Sequence, residues 1–182
     1  MGGNMKYIDT AALLCGVGLL VGVAQAAGAL NLTLERSLVL TMVKDGKTVE
    51  SLKANPAGLA PGDVVLEQVV VENVSNKTLK AVKVDLPLPQ NIGAEKLSLK
   101  ASSYLAGTAT KPSNRWTLEF SFDGGKTFGA EPLMKKVKVL EGGKSVEKEI
   151  KVAANEYTHA RWMLSSVAPQ EKLVFGLRAK VN

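Results

Sequence analysis

The order Ala60-Pro61-Gly62-Asp63, then Val64-Val65-Leu66-Glu67-Gln68-Val69-Val70-Val71-Glu72, then Asn73-Val74-Ser75-Asn76-Lys77, then Leu79-Lys80-Ala81-Val82-Lys83-Val84-Asp85-Leu86 decides the fold. Two runs rich in β-branched and apolar residues are each preceded by a cluster of turn residues, and neither shows the three-to-four spacing of a helix. Proline presets φ at the second position of the Ala60 to Asp63 turn. Pro87-Leu88-Pro89 ends the second run, because proline cannot donate to a ladder. The stretch predicts two strands joined by a short connection.

The same punctuation continues in both directions. Leu30 to Leu34 alternates, and Leu38 to Val43 leads through Asp45-Gly46 into Thr48 to Leu52, a strong hairpin signal because the turn requires positive φ. Further strands are expected at Lys96 to Ser102, Arg115 to Phe122, Met134 to Leu140, Ser145 to Val152, Tyr157 to Leu164 and Lys172 to Val181. Gly124-Gly125 and Gly142-Gly143 supply hairpin turns, Ala168-Pro169-Gln170 the last connection, and residues 101 to 114 the longest loop. Short strands at this spacing, with no repeat of solenoid or propeller length, predict an all-β fold, an immunoglobulin-like β-sandwich of about nine strands.

The N-terminus has a different character. Read from Met5 as an alternative start, it has a charged beginning at Lys6, an apolar stretch from Ala11 to Val23, and Ala24-Gln25-Ala26 before Ala27. This is the pattern of a secretory signal peptide over residues 1–26, cleaved between Ala26 and Ala27 with small residues at Ala24 and Ala26. Ala29 is a competing site. Cys15 follows Ala12-Leu13-Leu14 instead of a small residue, which does not fit a lipoprotein signal. Residues 27–182 then form one domain, with no stable membrane span after cleavage.

The chain has 182 residues, 46% of them hydrophobic and 22% charged, with formal net charge +6. The lysines are scattered, and in Lys135-Lys136-Val137-Lys138-Val139 they alternate with apolar residues as on the solvent face of a strand. A nucleic-acid partner is not expected. Cys15 is the only cysteine, so the mature domain has no disulfide, thiolate nucleophile or cysteine metal site.

From Pro61 onward the chain resembles the bacterial exported conserved-repeat family called domain of unknown function 11. Pro61-Gly62-Asp63 with Val69 to Ser75, the Val82 to Pro89 strand end, Phe120 to Phe128 and Tyr157 to Trp162 carry the resemblance. Glu67-Gln68, where the family often has tyrosine-threonine, and Asn91-Ile92-Gly93 after the prolines depart from it. The resemblance implies an immunoglobulin-like sandwich of a cell-surface protein and brings no catalytic residues with it.

Ser121-x-Asp123-x-Gly125-x-Thr127-Phe128 also fits the Asp-box of sialidase-type propellers. There the aspartate caps a turn and the glycine relieves φ strain, so the motif is expected to be a structural turn. His159 is the only histidine and has no second ligand at metal spacing. Alternation puts His159, Arg161 and Met163 on one face and Thr158, Ala160, Trp162 and Leu164 on the other, making Trp162 a core anchor. No serine stands in a nucleophile elbow and no glycine-rich phosphate loop is present, so no catalytic residue, cofactor or metal is expected.

The sequence therefore predicts an exported, non-catalytic envelope or cell-surface protein, in the periplasm, on the surface or outside the cell. Its expected partners are other envelope proteins, or its own copies by edge-strand pairing. An alternative is a filament or pilus-like subunit in which Leu30 to Leu40 adds to a neighbour's sheet. A further alternative is a carbohydrate-binding module presenting Tyr104, Trp116 or Tyr157.

Overall fold

The computed structural model describes residues 28–88 and 103–182. The leader expected over residues 1–26, with Met5, Cys15, Ala24 and Ala26, the adjoining Ala27, and the strand expected at Lys96 to Ser102 lie outside the described residues.

Ten strands are present among the described residues: β1 Leu30–Lys44, β2 Lys47–Ala54, β3 Val64–Asn73, β4 Leu79–Pro87, β5 Ser103–Tyr104, β6 Trp116–Ser121, β7 Met134–Glu141, β8 Lys144–Lys151, β9 His159–Val167 and β10 Lys172–Lys180. A 3-10 turn, Ala154–Glu156, precedes β9. The fold is the expected all-β sandwich. One sheet has the order β2-β1-β3-β10-β5, the other β4-β9-β6, and β7 and β8 form a separate hairpin. All the pairings are antiparallel.

Three local readings change. Leu30 to Leu34 and Leu38 to Val43 are one continuous strand, because Glu35, Arg36 and Ser37 all pair with β3. No glycine or proline stands between them to interrupt the strand. The strand expected from Tyr157 begins at His159, since Tyr157 closes the 3-10 turn by donating to the Ala154 carbonyl at 3.3 Å. The loop expected at 101–114 contains β5, whose Tyr104 enters the core.

Alternation settles which residues face inward. Val65, Glu67, Val69, Val71 and Asn73 of β3 alternate to the inner face of the larger sheet and are buried. Val69 and Val71 meet Val82, Val84 and Leu86 of β4 and Ala160, Trp162 and Leu164 of β9 in one core cluster with Phe120, Phe175 and Leu177, while Val65 packs with Ala179 and Val181 in a second. Trp162 is fully buried, with its ring 5.3 Å from Phe175 across the sheets, and its Nε1 donates to the Thr110 carbonyl at 2.9 Å. That bond satisfies the indole's polar atom inside an apolar core.

Among the connections that cross between the sheets are β3 to β4 and β9 to β10. Because β4 pairs with β9 and β3 with β10, both arches lie at the same end of the sandwich. Asn73 ties them together. Its Nδ2 donates to the carbonyls of Lys77 at 2.8 Å, Val167 at 3.1 Å and Ala168 at 2.9 Å. Its Oδ1 accepts from the Ser75 N–H at 3.0 Å and hydroxyl at 2.7 Å, and its own N–H donates to the Glu171 carbonyl at 3.0 Å. One fully buried amide thus satisfies backbone groups that neither arch satisfies by itself.

Two ribbons leave from the opposite end. Beyond Leu38 the first strand pairs only with β2, and β7 and β8 pair only with each other. The second ribbon is anchored by Leu133 and the fully buried Val152, joined by a Val152 N–H to Leu133 carbonyl bond of 2.8 Å. A bidentate pair from Arg178 of β10 to Glu50 of β2, 2.9 and 2.7 Å, ties the first ribbon to the larger sheet.

Candidate functional site: the Asp-box turn, the His159 face and the ribbons

The Asp-box turn is built around two side chains. Ser121, fully buried at the end of β6, accepts from the Gly125 N–H at 2.9 Å and donates to Asp123 Oδ1 at 2.7 Å. Asp123 Oδ1 accepts from the N–H groups of Lys126 at 3.1 Å and Thr127 at 3.0 Å, and Oδ2 from the Thr127 hydroxyl at 2.6 Å. These donors, the Thr127 hydroxyl foremost, then the Thr127 N–H and the Ser121 hydroxyl, hold the Asp123 carboxyl far below the usual carboxylate range. A carboxylate so fully engaged is a weak base at neutral pH and caps the turn from its own side chain. Gly125 has φ +82, a left-handed value that a β-branched residue resists.

This turn is clamped to β9. The Thr158 N–H donates to the Ser121 carbonyl at 2.7 Å, and the Gly124 N–H donates to Thr158 Oγ1 at 3.1 Å. The Thr158 hydroxyl gives its hydrogen to the Ser121 carbonyl, 3.2 Å away, so the network assigns the hydrogen on His159 to Nδ1, 3.1 Å from Thr158 Oγ1. A Cβ placed on Gly125 would come within 3.3 Å of His159 Nε2, so the imidazole packs flat against the turn. Burial lowers the His159 pKa, opposed by Asp85, and the ring is neutral at neutral pH.

Beside His159, the Arg161 guanidinium lies 3.4 Å over the Phe128 ring and is held by Asp85 through bonds of 2.6 and 2.7 Å. Ser121, Asp123, Gly125, Thr127 and Phe128 are thus brought together with His159 and Arg161, while Trp162 faces the core on the opposite side of β9. Among the described residues, no three His, Cys, Asp or Glu side chains converge as a metal site. No helix among them is long and apolar enough to cross a membrane.

The aromatics that a sugar-binding face would require divide. Tyr104 and Tyr157 are buried and pack with Phe120, at 5.1 and 4.9 Å between centroids. Trp116 is half-buried, edge-on to Phe175 at 5.2 Å, and lines an open groove of about 340 Å³ with Arg115, Met163 and Ser165. Arg115 is itself committed to Glu171 at 2.8 and 2.9 Å.

Sequence reasoning missed the buried Glu67. It sits on the inner face of β3 and is paired with Arg36 of β1. Desolvation raises its pKa against the pull of that arginine. Alternation with Val65 and Val69 was the available signal for its direction.

The ribbons expose what the sandwich hides. On β7 and β8, cross-strand partners place Val137, Val139, Val146 and Ile150 on one face, interleaved with Lys135, Glu141, Lys144 and Lys148, and Lys136, Lys138, Glu147 and Glu149 on the other, beside the exposed Met134 and Leu140. Lys136 and Glu147 pair diagonally at 3.1 Å on that second face. Val146 and Ile150 are each 39% exposed. On the first ribbon Leu40, Met42 and Val49 share a face and are also uncovered. No protein-family model, curated protein or solved structure matches this chain.

Proposed function

We propose that this chain is an exported envelope or cell-surface structural protein of bacterial type, whose sandwich is a rigid base and whose two ribbons meet other envelope proteins. One contrast carries the reading. The polar side chains best suited to chemistry, Asp123, Ser121, Asp85 and Arg161, are engaged in internal bonds, whereas apolar residues of both ribbons stand in solvent. Two-stranded ribbons are marginally stable alone, and the exposed apolar residues on each are what a protein partner would cover. The leader pattern and the resemblance to an exported surface family support the location. As a filament or pilus-like subunit the chain would have to detach Leu30 to Leu40 from β3, with which the stretch from Leu30 to Leu38 is already paired.

Fractionation of cells expressing the full-length gene, with mass spectrometry of the N-terminus, tests this reading. Protein beginning at Ala27 in the envelope or the medium is the expected result. An unprocessed chain confined to the cytosol overturns it.

A further inference from the structure

We propose that two copies of this chain form a closed two-fold dimer by pairing the Leu30 to Leu34 edges of their β1 strands into one continuous sheet. The inference rests on edge geometry and is independent of export.

Two backbone bonds establish which way β1 points its peptide groups. The Ala29 carbonyl accepts from the Val74 N–H at 2.9 Å on the β3 side, and the Arg36 carbonyl accepts from the Asn55 N–H at 3.0 Å on the β2 side. Since successive residues of a strand alternate direction, the N–H and C=O groups of Leu30, Leu32 and Leu34 point away from β3. β2 pairs with β1 only from Ser37 onward, so no described residue faces these three leucines along that edge.

The other sheet edges carry devices that discourage pairing. β4 presents Lys80 and Lys83, ends at Pro87, and is broken by Ala81 at φ +53. The β10 edge is covered by β5 and by the bonds of Leu105 to Arg178 and Thr110 to Gly176. β6 is flanked by the Ser113 N–H on the Trp116 carbonyl and by Gly129 opposite Phe120. β2, β7 and β8 carry charged residues along their length, so among the described residues the β1 edge from Leu30 to Leu34 is the one with no charge, proline or bulge.

Leu30-Asn31-Leu32-Thr33-Leu34 reads almost the same in both directions, which is what antiparallel self-pairing requires. The register is bounded on both sides. Asn55 occupies the edge at Arg36, and the chain leaves the strand at Gly28, where φ is +100. The centre of that window is Leu32. Centred there, Leu30 faces Leu34 of the other copy, Leu32 faces its own mate, and each pair exchanges two backbone bonds. Asn31 faces Thr33 on the outer face, and no like charges meet. The leucines lie on the inner face, so Leu34, 44% exposed in one copy, would be covered by Leu30 of the second and the two cores would join across the edge. The isologous contact closes at two copies and does not propagate.

The test is sedimentation velocity on protein purified from full-length expression, from low micromolar to about 0.5 mM, a range that brackets weak association. A reversible monomer–dimer equilibrium is expected. Leu34→Pro removes a donor that makes no bond within the monomer and should weaken the dimer at least about tenfold. Leu34→Lys should do the same and serves if the proline variant fails to keep the native near-ultraviolet circular dichroism. Register is read from Asn31→Cys with Thr33→Cys in a Cys15→Ser background. These positions form a close, non-hydrogen-bonded pair across the two-fold axis and should yield a disulfide-linked dimer on mild oxidation. A monomer throughout, growth beyond the dimer, a dimer indifferent to both Leu34 variants, or no cross-linking by the cysteine pair would each overturn the proposal.

Discussion

Replacing Asn73 tests whether one buried amide joins the two arches. In Asn73→Ala the carbonyls of Lys77, Val167 and Ala168 lose a donor, and the Ser75 N–H and hydroxyl lose an acceptor. Only the bond to Val167 is fully buried, so one orphaned buried carbonyl costs about 1–3 kcal/mol and the part-buried bonds about 0.5 kcal/mol each. The expected loss is roughly 3–5 kcal/mol, large against the usual 5–15 kcal/mol of a domain. Asn73→Asp keeps the acceptor but turns an oxygen toward three carbonyls. Its carboxyl should be driven to hold a proton, so its folded pKa lies above the unfolded value of about 3.9. For a raised pKa the stability is fully present below the unfolded pKa and is lost as pH rises through the folded one. Asn73→Asp should therefore rival the parent near pH 3 and fall below Asn73→Ala at pH 8. Urea unfolding followed by tryptophan fluorescence reads both. An Asn73→Ala loss under about 1 kcal/mol, or an Asn73→Asp protein with the parent's pH dependence, would refute the reasoning.

Trp162→Ala should cost roughly 3–5 kcal/mol by emptying the space against Phe175 and orphaning the Thr110 carbonyl, whereas His159→Ala should cost under about 1 kcal/mol; denaturant midpoints give the order. Asp123→Ala should lower the melting temperature. The gap to the parent should be full above the unfolded pKa of about 3.9 and close as pH falls toward the depressed folded value, because a depressed pKa gives stability that acid removes. Gly125→Val should lower the melting temperature further than Asp123→Ala, since it combines positive φ with contact on His159. Gly176→Ala puts a Cβ 2.8 Å from the Glu67 carbonyl oxygen, a backbone atom that cannot swing aside, and calorimetry should show a loss of about 1–3 kcal/mol.

The strand positions, the turns and the inward direction of Trp162 were legible in the sequence because each depends on neighbours a few residues apart. Period-two alternation, Asp45-Gly46, Pro61-Gly62-Asp63 and the Ser121 to Phe128 motif all act locally, and the backbone geometry there follows from side chains within the same segment. What only the tertiary structure decided is non-local. That β3 pairs with β10 while β4 pairs with β9, bringing both arches to Asn73, depends on strands about a hundred residues apart. Alternation with Val65 and Val69 directs Glu67 inward, but only the register that sets Arg36 opposite it shows what makes an inward carboxylate tolerable. The ribbons and the bare β1 edge were hidden for the same reason. Alternation says which face of a strand is apolar, but whether that face or edge is covered depends on where the other strands stop, and no single segment contains that information.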